Sequence, residues 1–86
     1  MVKAIKFSAD WCGPCKVYKR AWDKIKVELD GKVEFVECNV DTDTTGLAAE
    51  HKVRSIPFTV ITHDDGEVHK LNGVVKYEEL KELLIK

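Results

Sequence analysis

Residues 4–40 carry the pattern that most restricts the fold. From Cys15 to Leu29 the apolar residues Val17, Tyr18, Ala21, Trp22, Ile25 and Leu29 recur at spacings of one, three and four, which predicts a helix with one buried face. Asp30-Gly31 supplies its stop. Before it, Ala4-Ile5-Lys6-Phe7-Ser8 alternates like a strand and runs into Asp10-Trp11-Cys12-Gly13-Pro14. Pro14 falls near the first helical turn, where its missing N–H costs nothing. After it, Val33 to Val40 alternates again, with Val33, Phe35, Glu37 and Asn39 on one side and Glu34, Val36, Cys38 and Val40 on the other. Strand, helix and strand in this order make a βαβ unit, hence a parallel strand pair with a right-handed crossover.

The remaining chain completes one layer structure. Asp41-Thr42-Asp43-Thr44-Thr45 is rich in helix-capping side chains and precedes a short helix at Leu47–His51. Pro57 opens the strand Phe58–Thr62, a position a sheet allows. Asp65-Gly66 turns the chain into Glu67–Leu71, an antiparallel hairpin ended by Asn72-Gly73. Lys76 to Lys86 places Tyr77, Leu80, Leu83 and Leu84 on one helical face, with Glu78 and Glu79 in the first turn and Lys86 at the end, as the helix dipole prefers. The predicted order is β-α-β-α-β-β-α around a mixed four-stranded sheet, an α/β fold in a single domain over residues 1–86.

Composition removes several classes. With 86 residues there is material for one core and not two. Fourteen Lys plus Arg against 15 Asp plus Glu give a formal charge of −1, so no global field draws nucleic acid or anionic lipid. No apolar stretch approaches the roughly 18 residues that span a bilayer. Lysines interrupt Met1 to Lys6 where a signal peptide needs its apolar run, so the expected location is cytoplasmic. Three cysteines, an odd number, argue against a disulfide-stapled scaffold and leave metal binding or redox chemistry.

The chemistry centres on Cys12-Gly13-Pro14-Cys15, which falls between a predicted strand and the start of a predicted helix. Unpaired backbone N–H groups and the positive end of the helix dipole favour an anion at the first cysteine, so Cys12 is expected to be partly thiolate near neutral pH, with Lys16 adding positive charge. Two intervening residues on a starting helical turn let Cys15 approach Cys12, so the pair can close a small disulfide and reopen it. Cys12 would then attack a target disulfide and Cys15 resolve the mixed disulfide. Half of a zinc site is the competing reading, with only Cys38, His51, His63 and His69 left as ligands and no finger spacing among them. Plain structural cysteines are the other.

In these residues the chain resembles the thioredoxin family. The resemblance rests on Ala9-Asp10-Trp11-Cys12-Gly13-Pro14-Cys15-Lys16, Asn39-Val40-Asp41, Leu47-Ala48-Ala49, Val53-Arg54-Ser55-Ile56-Pro57, and Asp65-Gly66-Glu67-Val68 with Gly73. It implies that Pro57 is cis and faces the cysteines. It also implies that Trp11, Gly13, Pro14, Ile56 and Gly73 form a flat apolar surface for substrates, with Ile56 lending backbone hydrogen bonds to an extended target segment. By the same resemblance the chain reduces disulfides in target proteins as a monomer, binds no cofactor, and takes electrons from an external flavoprotein, an NADPH-dependent thioredoxin reductase.

The sequence departs from that pattern in three places. It begins at the strand leading into the active site, so the expected sheet is four-stranded as in glutaredoxins. Gly13-Pro14 and Ser55-Ile56-Pro57 are nevertheless thioredoxin choices, and Phe58 is bulkier than the usual residue after the proline. Lys6 falls where the family has a buried aspartate, and Glu37 where it has a partnering lysine. A buried ammonium needs an anion, so Lys6 is expected to pair with Glu37, and Glu37 or a neutral Lys6 to handle the proton of the second cysteine. The alternative is a lysine that snorkels to an exposed sheet edge. Cys38, Tyr18 and Trp22 read as core, the three histidines as surface, and the first helix's lysines as a solvated face. A glutathione-linked glutaredoxin-like enzyme and a non-catalytic interaction module are the other functional readings.

Overall fold

A computed structural model describes residues 1–85 of the chain. Its elements are β1 (Val2–Ser8), α1 (Gly13–Glu28), β2 (Val33–Asn39), α2 (Leu47–Glu50), β3 (Phe58–Thr62), β4 (Val68–Asn72) and α3 (Tyr77–Ile85). The order matches the one read from the sequence. The four strands form one mixed sheet in the order β2-β1-β3-β4. β1 is parallel to β2, with Lys6 opposite Glu37, and antiparallel to β3, with Lys6 opposite Thr59. β3 and β4 form the antiparallel hairpin.

Each face of the sheet is covered by a different helical layer. Tyr18, Trp22 and Ile25 of α1 and Leu80 and Leu84 of α3 pack with Ala4, Val33 and Ile61 in one cluster. Ile5, Phe7, Cys38, Phe58 and Val60 form the cluster on the other face, with Leu47 and Ala48 of α2 against it. As a central strand, β1 buries Ala4 to Phe7 without a break. Its short alternating run therefore sits in the core on both faces, and each fully buried large apolar side chain there contributes roughly 1.5–3 kcal/mol. β4 lies at the edge and alternates between exposed and half-buried residues.

Several boundaries move for local reasons. α1 begins at Gly13 and not at Cys15, because the Cys12 sulfur takes the capping position and Pro14 fits the first turn. β1 reaches back to Val2, held by its pairing with Val33. α2 is one turn long, and His51, read as helical, is its C-cap. Its formal N-cap, Gly46, has φ of 77° and offers no side chain. Capping comes instead from Asp43, whose Oδ2 accepts the Ala48 N–H at 3.0 Å and whose Oδ1 accepts the Thr45 N–H at 2.9 Å. β4 starts one residue later than read, at Val68. Lys86, assigned to the end of the last helix, lies outside the described residues.

Candidate active site

The first helix opens on a disulfide. Cys12 is the N-cap of α1, with φ −85° and ψ 107°, and its sulfur accepts the backbone N–H of Cys15 at 3.1 Å. Cys12 and Cys15 are bonded to each other, their Cα atoms 5.2 Å apart. Both are buried, at 4% and 5% exposure, and pack with Ala9 against Val40 and Ile56. A sulfur in the N-cap position receives the N–H groups and the dipole that a helix start leaves unpaired, so its anion is favoured when the bond opens.

The loops around the disulfide are tied together. Trp11 is 71% exposed, and its indole N–H donates to Asp41 Oδ2 at 2.7 Å. The Asp41 N–H donates to Asn39 Oδ1 at 3.0 Å, and Asn39 Nδ2 donates to Asp10 Oδ1 at 3.2 Å. This ladder fastens the segment before Cys12 to the end of β2. The Ile56–Pro57 peptide is cis. The Pro57 carbonyl accepts the Gly73 N–H at 2.8 Å, and the Ser55 hydroxyl donates to Asn72 Oδ1 at 3.4 Å. A groove of about 360 Å³, lined by Trp11, Val40, Ala48, Val53, Arg54 and Ile56, runs beside the disulfide. Gly13 and Pro14 are exposed at the helix start.

On the other side a cleft of about 430 Å³ joins Cys15 to Lys6 and Glu37, with Lys16 and Lys19 at its mouth. Lys6 is 3% exposed and does not reach out to an edge. Its Nζ lies 3.2 Å from Glu37 Oε1 and 5.3 Å from the centroid of the Trp22 ring. Glu37 Oε2 receives a second ammonium, that of Lys26, at 3.1 Å. Partial burial pushes the Glu37 carboxyl up, but the Lys26 hydrogen bond and the Lys6 charge outweigh it and hold the group below the usual glutamate range.

The structure thus gathers Trp11, Cys12, Cys15 and Ile56 around one rim, attaches Gly73 through the Pro57 carbonyl, and sets Lys6 and Glu37 behind Cys15. Three contributions escaped the sequence reading. Asp41 holds Trp11. Lys26 shares Glu37. Arg54 edges the apolar groove. Nothing in the sequence links Asp41 to Trp11, which lies 30 residues before it.

A protein-family model described as thioredoxin matches residues 2–86. The chain belongs to the thioredoxin family. It is similar to the thioredoxin of Staphylococcus epidermidis, at 35% identity over 85 residues, which cover 99% of this chain and 81% of that protein. The thioredoxin of Staphylococcus aureus is 33% identical over the same share of each chain. Among solved structures, mitochondrial thioredoxin 3 from Saccharomyces cerevisiae superposes with a TM-score of 0.82 at 30% identity, covering 98% of this chain and 76% of that one. Chloroplastic thioredoxin z superposes with a TM-score of 0.87 at 26% identity, covering 98% and 75%. The activity is that of a protein thiol-disulfide oxidoreductase working through the Cys12–Cys15 pair.

The other reactive residues lie apart from this thioredoxin-family centre. Cys38 is 8% exposed in the core, and burial together with the Asp43 charge pushes its thiol up. The histidines are half-buried and not freely exposed: His51 stacks on Phe7 with centroids 5.7 Å apart, and His63 meets His69 edge to face at 5.6 Å. Among the described residues no group of three or more His, Cys, Asp and Glu is placed to hold a metal ion. Among the described residues no helix is long and apolar enough to cross a membrane.

Proposed function

We propose that the protein is a cytoplasmic, monomeric reductase of disulfides in other proteins. Cys12 attacks a target disulfide, Cys15 resolves the mixed disulfide, and the oxidised pair is recharged by an NADPH-dependent flavoprotein reductase. The carrying observation is the Cys12 sulfur in the N-cap position of α1, accepting the Cys15 N–H at 3.1 Å. A reduced sulfur there is the better nucleophile of the two, because the helix terminus favours its thiolate.

The target segment is assigned to the surface made by Trp11, Gly13, Pro14, Ile56, Pro57 and Gly73. The exposed face of Trp11 and the apolar groove beside Ile56 support this assignment. Lys6 and Glu37 are assigned to the charge environment in which Cys15 loses its proton, supported by the cleft that all three line. Catalysed reduction of insulin in the presence of dithiothreitol is the expected activity, lost in Cys12→Ser. Recharging by NADPH with a thioredoxin reductase, and not by glutathione, completes the reading. Turnover sustained equally by glutathione alone would replace the flavoprotein with a glutaredoxin-like cycle.

A further inference from the structure

Lys6 is the only buried charged residue of the described chain, and it lines the same cleft as Cys15. The groups around Cys15 can be taken element by element. From β1 come Lys6 and Ser8, from β2 Glu37, from α1 Lys16 and Lys19, and from the preceding loop Asp10. Asp10 is bonded by the Asn39 amide, and Lys19 is paired with Asp23 at 2.5 Å, one helical turn on. Lys16 is exposed, so water screens its charge. Two ammonium groups, Lys6 and Lys26, share the one carboxylate of Glu37. That triad carries a net charge of +1 when all three are ionised. Lys6 is its buried member, with side-chain exposure of 4% against 48% for Lys26, and so the one whose field reaches Cys15 least attenuated.

We propose that Lys6 acts as a fixed cation that holds Cys15 as a thiolate during resolution of the mixed disulfide, and that Glu37 positions Lys6 and does not itself take the proton. This rests on the dithiol reading above and says which side chain of the pair acts, and how. In the step, the Cys15 proton leaves to water through the cleft, and the Cys15 sulfur anion attacks the Cys12 sulfur. The bond from Cys12 to the target sulfur breaks, and the target thiolate takes a proton from water. The protein pair ends oxidised by two electrons and the target disulfide reduced by two. Glu37 is a poor acceptor because each of its oxygens already faces an ammonium group. A cation needs to accept nothing, since an opposite charge nearby lowers a thiol's affinity for its proton directly.

The test is a single turnover that uses neither target protein nor reductase. Cys12 of the full chain is loaded with 2-nitro-5-thiobenzoate, and release of the coloured thiol by Cys15 is followed against pH. Lys6→Met is expected to move the profile upward by about one pH unit, and so to slow release about three- to fourfold below the midpoint, the tenfold loss of thiolate being partly offset by its greater nucleophilicity. Lys6→Arg restores the original profile and Glu37→Gln does not move it upward. In parallel, the Cys15 ¹³Cβ shift is titrated in Cys12→Ser, with and without Lys6→Met, and the same displacement is expected there. A profile unmoved by Lys6→Met, or an upward shift in Glu37→Gln equal to that in Lys6→Met, overturns the role of Lys6. No release from the unsubstituted chain overturns the dithiol reading itself.

Discussion

Tyr18 and Thr59 form the one side-chain hydrogen bond between α1 and the middle of the sheet, Oη to Oγ1 at 2.7 Å, with both residues at 0% exposure. Tyr18→Phe leaves the Thr59 hydroxyl buried beside a ring edge, and Thr59→Val leaves the Tyr18 hydroxyl in the same position. Each single change is expected to cost about 1–3 kcal/mol, the price of an unsatisfied buried polar group. The double variant removes both partners and is expected to recover most of that loss. Urea unfolding of the oxidised protein at pH 7 reads the cycle, with a coupling energy of about 1–2 kcal/mol between the sites. In a domain of this size 1 kcal/mol moves the melting temperature by roughly 4–8 °C, so the recovery is visible in a thermal scan. Strictly additive single effects would refute the argument, because they would mean the two hydroxyls do not depend on each other.

The same tyrosine predicts an alkaline limit. Burial pushes its hydroxyl up to about 12 from 10.0, only partly offset by the bond to Thr59. The folded chain therefore keeps a proton that the unfolded chain gives up near pH 10. The contribution is fully present below about pH 10 and is lost as the pH climbs toward 12, amounting to about 2–3 kcal/mol over that window. Lysines titrate over the same range, so the measurement is the difference between the unsubstituted chain and Tyr18→Phe. Parallel stability curves between pH 9 and 12 would refute it.

In Cys15→Ser, target proteins are expected to accumulate as mixed disulfides on Cys12, seen by non-reducing electrophoresis and released by dithiothreitol. Asp41→Ala frees the Trp11 indole from its 2.7 Å bond, and a few-fold rise in KM for a protein disulfide with kcat little changed is expected, while Trp11→Ala abolishes that sensitivity to Asp41. The Asp43 carboxylate is held down to about 2 by the Ala48 and Thr45 N–H groups and the Thr45 hydroxyl. Its contribution is thus present above the unfolded value near 4 and lost as the pH falls through that range toward 2. Asp43→Asn is expected to remove this acid dependence and to raise hydrogen-exchange rates at the Ala48 and Thr45 amides.

The parts of this molecule that depend on period and on local chemistry were readable in the sequence. The stripe from Val17 to Leu29, the alternation of Val33 to Val40 and the Pro-opened strand at Phe58 follow from spacing, and the element order follows from them. The Cys-Gly-Pro-Cys segment identified itself because its chemistry is local to one helical turn. The start of α1 was misplaced because sulfur is outside the usual capping set, although the Cys12 sulfur does accept the Cys15 N–H. Asp43 was grouped with four other residues able to cap, and only the folded loop selects it. Lys26 lies eleven residues before Glu37, and nothing in a single sequence says that the last turns of α1 pass over that point of β2. The histidines were read as surface because polar residues beside turns normally are, whereas packing on Phe7 and on each other half-buries them.

The placement of Lys6 follows from the row of the sheet it occupies. Glu37, Lys6 and Thr59 stand side by side across β2, β1 and β3, on the face covered by α1. The Thr59 hydroxyl is already bonded to Tyr18, so the ammonium group can be neutralised only on its other flank. There a carboxylate stands at the boundary with water, 41% exposed and held from outside by Lys26. The Lys6 ammonium group lies 5.3 Å from the centroid of the Trp22 ring, and the residue lines the Cys15 cleft. A short acidic side chain at the same register position would hold its charge next to the strand, away from the β2 edge, and would repel Glu37. A lysine at this position and a glutamate at its neighbour are therefore linked choices. With Lys26 counted, the ionised group behind Cys15 carries one net positive charge, which is the sign that favours a sulfur anion in the proposed resolution step.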